Sequence, residues 1–157
     1  MSVRTDEARI WLNDIGLLLI RGIAGIVFIY HGSQKLFGWF EGPGLKALVP
    51  MFDNMGFPMP TASAVLAGSA EFFGGLCLLL GLATRIAAIP VVFTMLVASF
   101  VVHGKAFGLQ HSGMEYALTL ACVVAGIGFT GAGRLSLDWV LRGRRKRRRI
   151  VEPGGPS

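Results

Sequence analysis

The chain has 157 residues, 53% of them hydrophobic and only 15% charged. An ordinary soluble domain carries about a quarter charged residues, so this deficit, together with 22 glycines, excludes that class and points to a membrane protein. The formal charge of +6 does not indicate nucleic acid: seven basic residues sit in Arg142–Arg149 (RGRRKRRR), directly after the last apolar segment, and read as an anchor to anionic lipid headgroups.

The N-terminus, MSVRTDEARIWLNDIG, has two acids before its apolar run and no small-residue cleavage site after it. It reads as a retained first span, from about Ile10 to Tyr30 or on to Phe37, rather than a signal peptide. The following connection, Glu41 to Pro60, is rich in Gly and Pro. Within it Leu45, Leu48, Val49, Phe52 and Met55 recur at helical spacing and Gly56 supplies a stop, which predicts a short amphipathic helix in the outer interface. Three more apolar segments follow, at about Thr61–Leu82, Ile86–Val102 and Met114–Phe129. The last two are short against the ~20 residues that cross a ~30 Å hydrocarbon core. Pro90 is expected in the first turns of its helix, where a missing N–H matters little.

These segments predict an all-α integral membrane four-helix bundle. Residues 1–9 form the N-terminus, 10–138 the membrane domain and 139–157 a basic tail. With both ends cytoplasmic, the inside holds 11 basic residues and the outside only Lys35, Lys46 and Lys105, so the positive-inside rule gives N-in/C-in. Cys77 and Cys122 lie in apolar runs without a Cys-x-x-Cys and read as small core residues.

Several charges lie where hydrocarbon should be, and such residues are default functional candidates because burying them alone costs several kcal/mol. On the first helix Arg21, Gly25, Phe28, His31, Gly32 and Lys35 share a stripe of about 120°. On the second, Glu71 shares a face with Ala64, Ala67, Gly68, Gly74 and Gly75, opposite Leu66, Phe73, Leu76 and Leu80. Small residues on one side and bulky ones on the other mark a helix–helix interface against a lipid face. Ala88, Met95, Ser99 and His103 align on the third helix, and Glu115, Thr119, Cys122 and Gly126 on the fourth. Glu71 is therefore expected to be buried and paired, with His31 as its nearest partner or Arg21 at longer reach. His31, Lys35, His103 and Glu115 fall at the outer helix ends and are expected to line one quinone-sized pocket roofed by the Leu45–Met55 helix, although an interfacial belt of solvated charges would look the same. Ser136, in GRLSLDWVL, reads as the cap of a short interfacial helix with Trp139 at headgroup depth.

Arg21 followed by HGSQKLFG (31–38), EFFGGLCLLLGLATR (71–85), GMEYAL (113–118) and GAGRLSLD (131–138) resembles the DoxX family of bacterial membrane proteins. The likeness runs from about Ile15 to Asp138; Ala132 departs from it, since many members have proline there. The matching positions are Arg21, His31, Gly32, Lys35, Glu71, Arg85, Glu115, Ser136 and Asp138. The resemblance implies a small four-helix protein of the bacterial inner membrane, often an oxidoreductase component, with relatives in an archaeal thiosulfate:quinone oxidoreductase, in quinone resistance and in thiol-stress complexes. It assigns no catalytic residue.

Two function classes lead. One is a quinone-linked membrane redox subunit, acting with a soluble redox partner because the sequence carries no metal, flavin or haem motif. The other is a non-catalytic membrane scaffold for soluble enzymes. A small transporter is a third, for which four helices without repeat symmetry are meagre.

Overall fold

Glycines set the central contact of the molecule. A computed structural model describes residues 3–143; most of the basic run, 144–149, lies outside them. Its elements are α1 (Val3–Phe37), α2 (Gly44–Asn54), α3 (Pro60–Leu80) and α4 (Thr84–Val97), which a π-turn at Ala98–Val102 continues. A 3-10 turn at Leu109–His111, α5 (Glu115–Thr130) and a final short helix α6 (137–143) follow. No strand occurs among the described residues.

α1 and α3 run antiparallel. Gly25 abuts Gly75 and Leu79, Gly32 abuts Phe72, and Gly68 abuts Leu36 and Lys35. Each helix presents two glycines seven residues apart, so their backbones meet where any Cβ would intervene. In lipid, where no hydrophobic effect drives helices together, such close contact is the main source of association. Outward from this seam point Ile23, Ile26, Leu66 and Phe73, all exposed apolar side chains.

Among the described residues three helices are long and apolar enough to cross a membrane: α1 over Glu7–Phe37, α3 over Pro60–Leu80, and α4 with its π-turn over Thr84–Val102. α5 is apolar but only 16 residues long. It packs on α4 through Ala117, Ala121, Val124 and Ile127, which join Ala88, Val91 and Met95 in one core. That corrects the expected face of this helix, because Thr119, Cys122 and Gly126 are exposed. Both faces of α5 are rich in small residues, and the alanine–valine face gives the tighter fit to α4. Pro90 also differs from expectation. α4 begins at Thr84, so Pro90 is an interior residue, and its ring stands on the exposed side.

α2 is the expected amphipathic helix, and it is docked. Leu48 and Phe52 are buried against Ala64 of α3, with Leu45, Val49, Phe57 and Ala67 around them. Gly56 terminates it at φ 76°, with Gly56 N–H donating to Asp53 O (2.9 Å) and Phe57 N–H to Phe52 O (3.0 Å). This six-to-one closure brings Phe57 onto the Phe52 ring at 4.6 Å.

Candidate functional site

Glu71 is fully buried at the α1–α3 seam, with 0% of its surface exposed. One carboxylate oxygen accepts a short hydrogen bond from Lys35 Nζ, and the other has no hydrogen-bonding protein partner. The partner is thus neither His31 nor Arg21. α1 continues helically to Phe37, the longer of the two expected ends, and its last turns pass over residues 68–72 of α3. Lys35 is thereby brought level with Glu71.

Arg21 lies at the opposite end of α3. It is 2% exposed and bonds to carbonyls instead of a carboxylate: Nη1 donates to Leu78 O (3.1 Å) and Leu79 O (2.7 Å), and Nη2 to Leu135 O. A guanidinium on the last carbonyls of a helix satisfies groups that have no partner within it and sits favourably in the helix dipole. α3 itself ends in a left-handed Gly81 at φ 63°. Asp138 completes this end from a distance, accepting from the N–H groups of Ala83 (2.8 Å) and Thr84 (3.1 Å) at the start of α4. Ser136 Oγ accepts from Trp139 N–H (3.3 Å), the helix cap expected from the sequence.

A cavity of about 970 Å³ lies between α3 and α4 under α2. Its walls are mainly apolar: Phe52 and Phe57 near α2, Leu66, Phe73 and Cys77 on α3, Phe93 on α4. Lys35 and His103 are its cationic and imidazole groups. The π-turn helps bring His103 there, closing with His103 N–H on Ala98 O at 2.9 Å. The His103 ring is anchored by Nδ1 on Ser112 O (2.8 Å). A carbonyl only accepts, so Nδ1 carries the proton and Nε2 of the neutral ring is left as an acceptor.

The expected four-residue cluster is therefore split. Lys35 and His103 line this cavity; His31 and Glu115 do not. His31 Nε2 lies 3.5 Å from the Tyr116 hydroxyl, and Glu115 accepts from Leu109 N–H at 2.6 Å, holding the loop before α5. Tyr116, Phe93 and Cys77 were not singled out by sequence reasoning as site residues. Phe93 and Cys77 read simply as span residues, and only the angular position of α4 against α3 brings them to one space. No group of three or more potential metal ligands comes together among the described residues.

A family model described as DoxX matches residues 16–104, more than half of the chain. The chain belongs to the DoxX family. It is similar to the Bacillus subtilis protein named "Putative oxidoreductase CatD", with 31% identity over 84% of this chain and 92% of that one. An uncharacterised membrane protein of Mycobacterium tuberculosis, Rv3486, is 34% identical over 78% of each chain. The Escherichia coli inner membrane protein YqjF is 29% identical over 83% of this chain and 95% of its own length. No solved structure matches. The matched region of this DoxX protein contains Arg21, Lys35, Glu71 and His103, so the buried pair and the polar edge of the cavity both lie inside it. As a DoxX protein it is a membrane protein, and its exposed apolar helix faces are lipid faces.

Proposed function

We propose that this DoxX protein is the membrane subunit of a quinone-linked oxidoreductase, with the α3–α4 cavity as its quinone site and a soluble partner exchanging the electrons. The observation that carries this reading is the cavity: about 970 Å³, apolar, and edged by Lys35 and His103. Ligand sites of this size are commonly apolar with a few convergent polar groups. The Lys35 ammonium would donate to a quinone carbonyl and raise the electron affinity of the ring. In the oxidation of a hydroquinone, which releases two electrons to the partner and two protons, His103 Nε2 would accept one proton and water the other. The name of the Bacillus subtilis relative is in keeping with a redox role.

Ala70, on the cavity wall, and His103 supply the test. Ala70→Phe places a ring on the cavity wall, narrowing the space, and should weaken binding of a short-tailed quinone to the detergent-purified protein. His103→Ala should weaken it on the order of tenfold, the loss of one good hydrogen bond. Wild-type affinity in both variants, with unfolding unchanged, would sink the quinone site. The reading as a non-catalytic scaffold for soluble enzymes, supported by the basic run Arg142–Arg149, would then lead.

The same reading has four spans in the bacterial inner membrane with both termini cytoplasmic, supported by the 11-to-3 division of basic residues. Reporter fusions at Pro50 and after Ser157 should show opposite sidedness. A periplasmic C-terminus would overturn it.

A further inference from the structure

A second, smaller cleft lies at the Arg21 end of the molecule, far along α1 from Lys35. It measures about 220 Å³ and is edged by Arg85 from α4, Arg134 from the 131–136 segment, Arg142 from α6, and by Asp14 and Asp138. We propose that this cleft binds the headgroup of an anionic phosphoglycerol lipid, its phosphate on Arg85 and Arg142 and a glycerol hydroxyl on Asp14.

The charges decide which groups are available. Asp138 is engaged by the Ala83 and Thr84 N–H groups. Asp14 Oδ1 accepts from Arg134 N–H at 2.9 Å, and its Oδ2 stands 3.8 Å from Arg134 Nε, so Asp14 and Arg134 balance one another. Among the described residues Arg85 and Arg142 have no carboxylate within ion-pairing distance. Arg85 makes only a long bond to Phe129 O, at 3.5 Å. Two guanidiniums on one cleft suit a phosphate, which they recognise through charge-assisted, often bidentate hydrogen bonds.

A second observation points the same way. Asp14 is 6% exposed and its Oδ2 has no hydrogen bond, a buried acceptor at the cleft wall. An acceptor asks for a donor, which a phosphate diester lacks and a glycerol hydroxyl supplies. The apolar rim argues for a lipid over a soluble phosphate. Trp139 edges the cleft, and Leu137, Val140 and Leu141 on α6 are exposed beside it, as side chains at the edge of a bilayer are.

Thermal unfolding of the full chain in mild detergent tests this with phosphatidylglycerol, phosphatidylcholine and inorganic phosphate as probes. Phosphatidylglycerol should raise the midpoint on the order of 5 °C, with little effect of the other two. The rise should survive when the six basic residues of 144–149 are changed to Gln, and should be mostly lost in Arg85→Gln/Arg142→Gln. If the double variant does not fold, Arg142→Gln alone, an exposed residue, should lose at least half of it. Protection that depends on 144–149 and not on Arg85 and Arg142 would overturn the proposal in favour of the tail. Equal protection by phosphatidylcholine would show no anion recognition, and equal protection by inorganic phosphate would overturn the lipid assignment.

Discussion

Lys35→Ala should destabilise the folded protein more than Glu71→Ala does. The two side chains make one ion pair but have unequal alternatives when it is broken. Lys35 keeps 27% of its side-chain surface exposed and can swing a long, flexible ammonium toward polar surroundings. Glu71 has no such exit, being fully buried with one oxygen already lacking a hydrogen bond. Breaking a buried pair typically costs about 3–5 kcal/mol because the remaining charge is stranded. Lys35→Ala should approach that range and Glu71→Ala fall below it, read as unfolding in mild detergent. The double change Lys35→Ala/Glu71→Leu should recover much of the loss, since a stranded carboxylate is then absent. Equal losses in the two single variants, or no recovery in the double, would mean that the pair is not the connection that matters.

Gly32→Ala should be strongly destabilising for the addition of a single methyl group. Its Cβ would stand 2.4 Å from Phe72 N and 2.7 Å from Phe72 Cα, both backbone atoms of α3 that no rotamer change can move. Relief requires α1 and α3 to separate, which would also open the Gly25–Gly75 contact and the Lys35–Glu71 pair. Overpacking costs about 1–3 kcal/mol, and backbone against backbone belongs at the upper end of that range or above it. Gly126→Ala is the matched control. That glycine is exposed on α5, with nothing within 4 Å of an added Cβ. Helix propensity alone should stabilise it by about 0.5–1 kcal/mol. A folded Gly32→Ala protein with the stability of Gly126→Ala would refute the close α1–α3 approach.

The sequence made the α1–α3 interface legible because its signal is repetitive. Glycines spaced seven apart, with bulky residues opposite, mark one face whatever the partner. It also identified Glu71 as inward, and the structure buries it completely. The partner was not legible, because it depends on relative depth across two helices. The stripe held both His31 and Lys35, and reading Lys35 at the outer helix end made His31 the nearer partner, whereas the packing of α1 on α3 puts Lys35 level with Glu71. Arg21 was misread for a related reason. Pairing a buried arginine with a buried acid is the economical inference, and the carbonyls at the end of another helix carry no mark in a sequence. The inward face of α5 was ambiguous from the start, since alanine and glycine populate both sides of that helix. The cavity was legible as polar residues at one depth beneath the Leu45–Met55 helix, which does line it. Its walls depend on the gap between α3 and α4, which no periodicity encodes.

The Arg21 knot has a consequence for how this protein is made. Arg21 leaves the ribosome early, Leu78 and Leu79 well after it, and Leu135 and Asp138 near the end of the chain. Until residues 135–138 are synthesised, Arg21 lacks its third carbonyl and the first N–H groups of α4 lack their acceptor. A nascent chain halted after α5 would hold all of its long apolar helices and still carry a cation and two amide donors unsatisfied at one membrane face. Closure of this end of the fold therefore waits for residues 135–138.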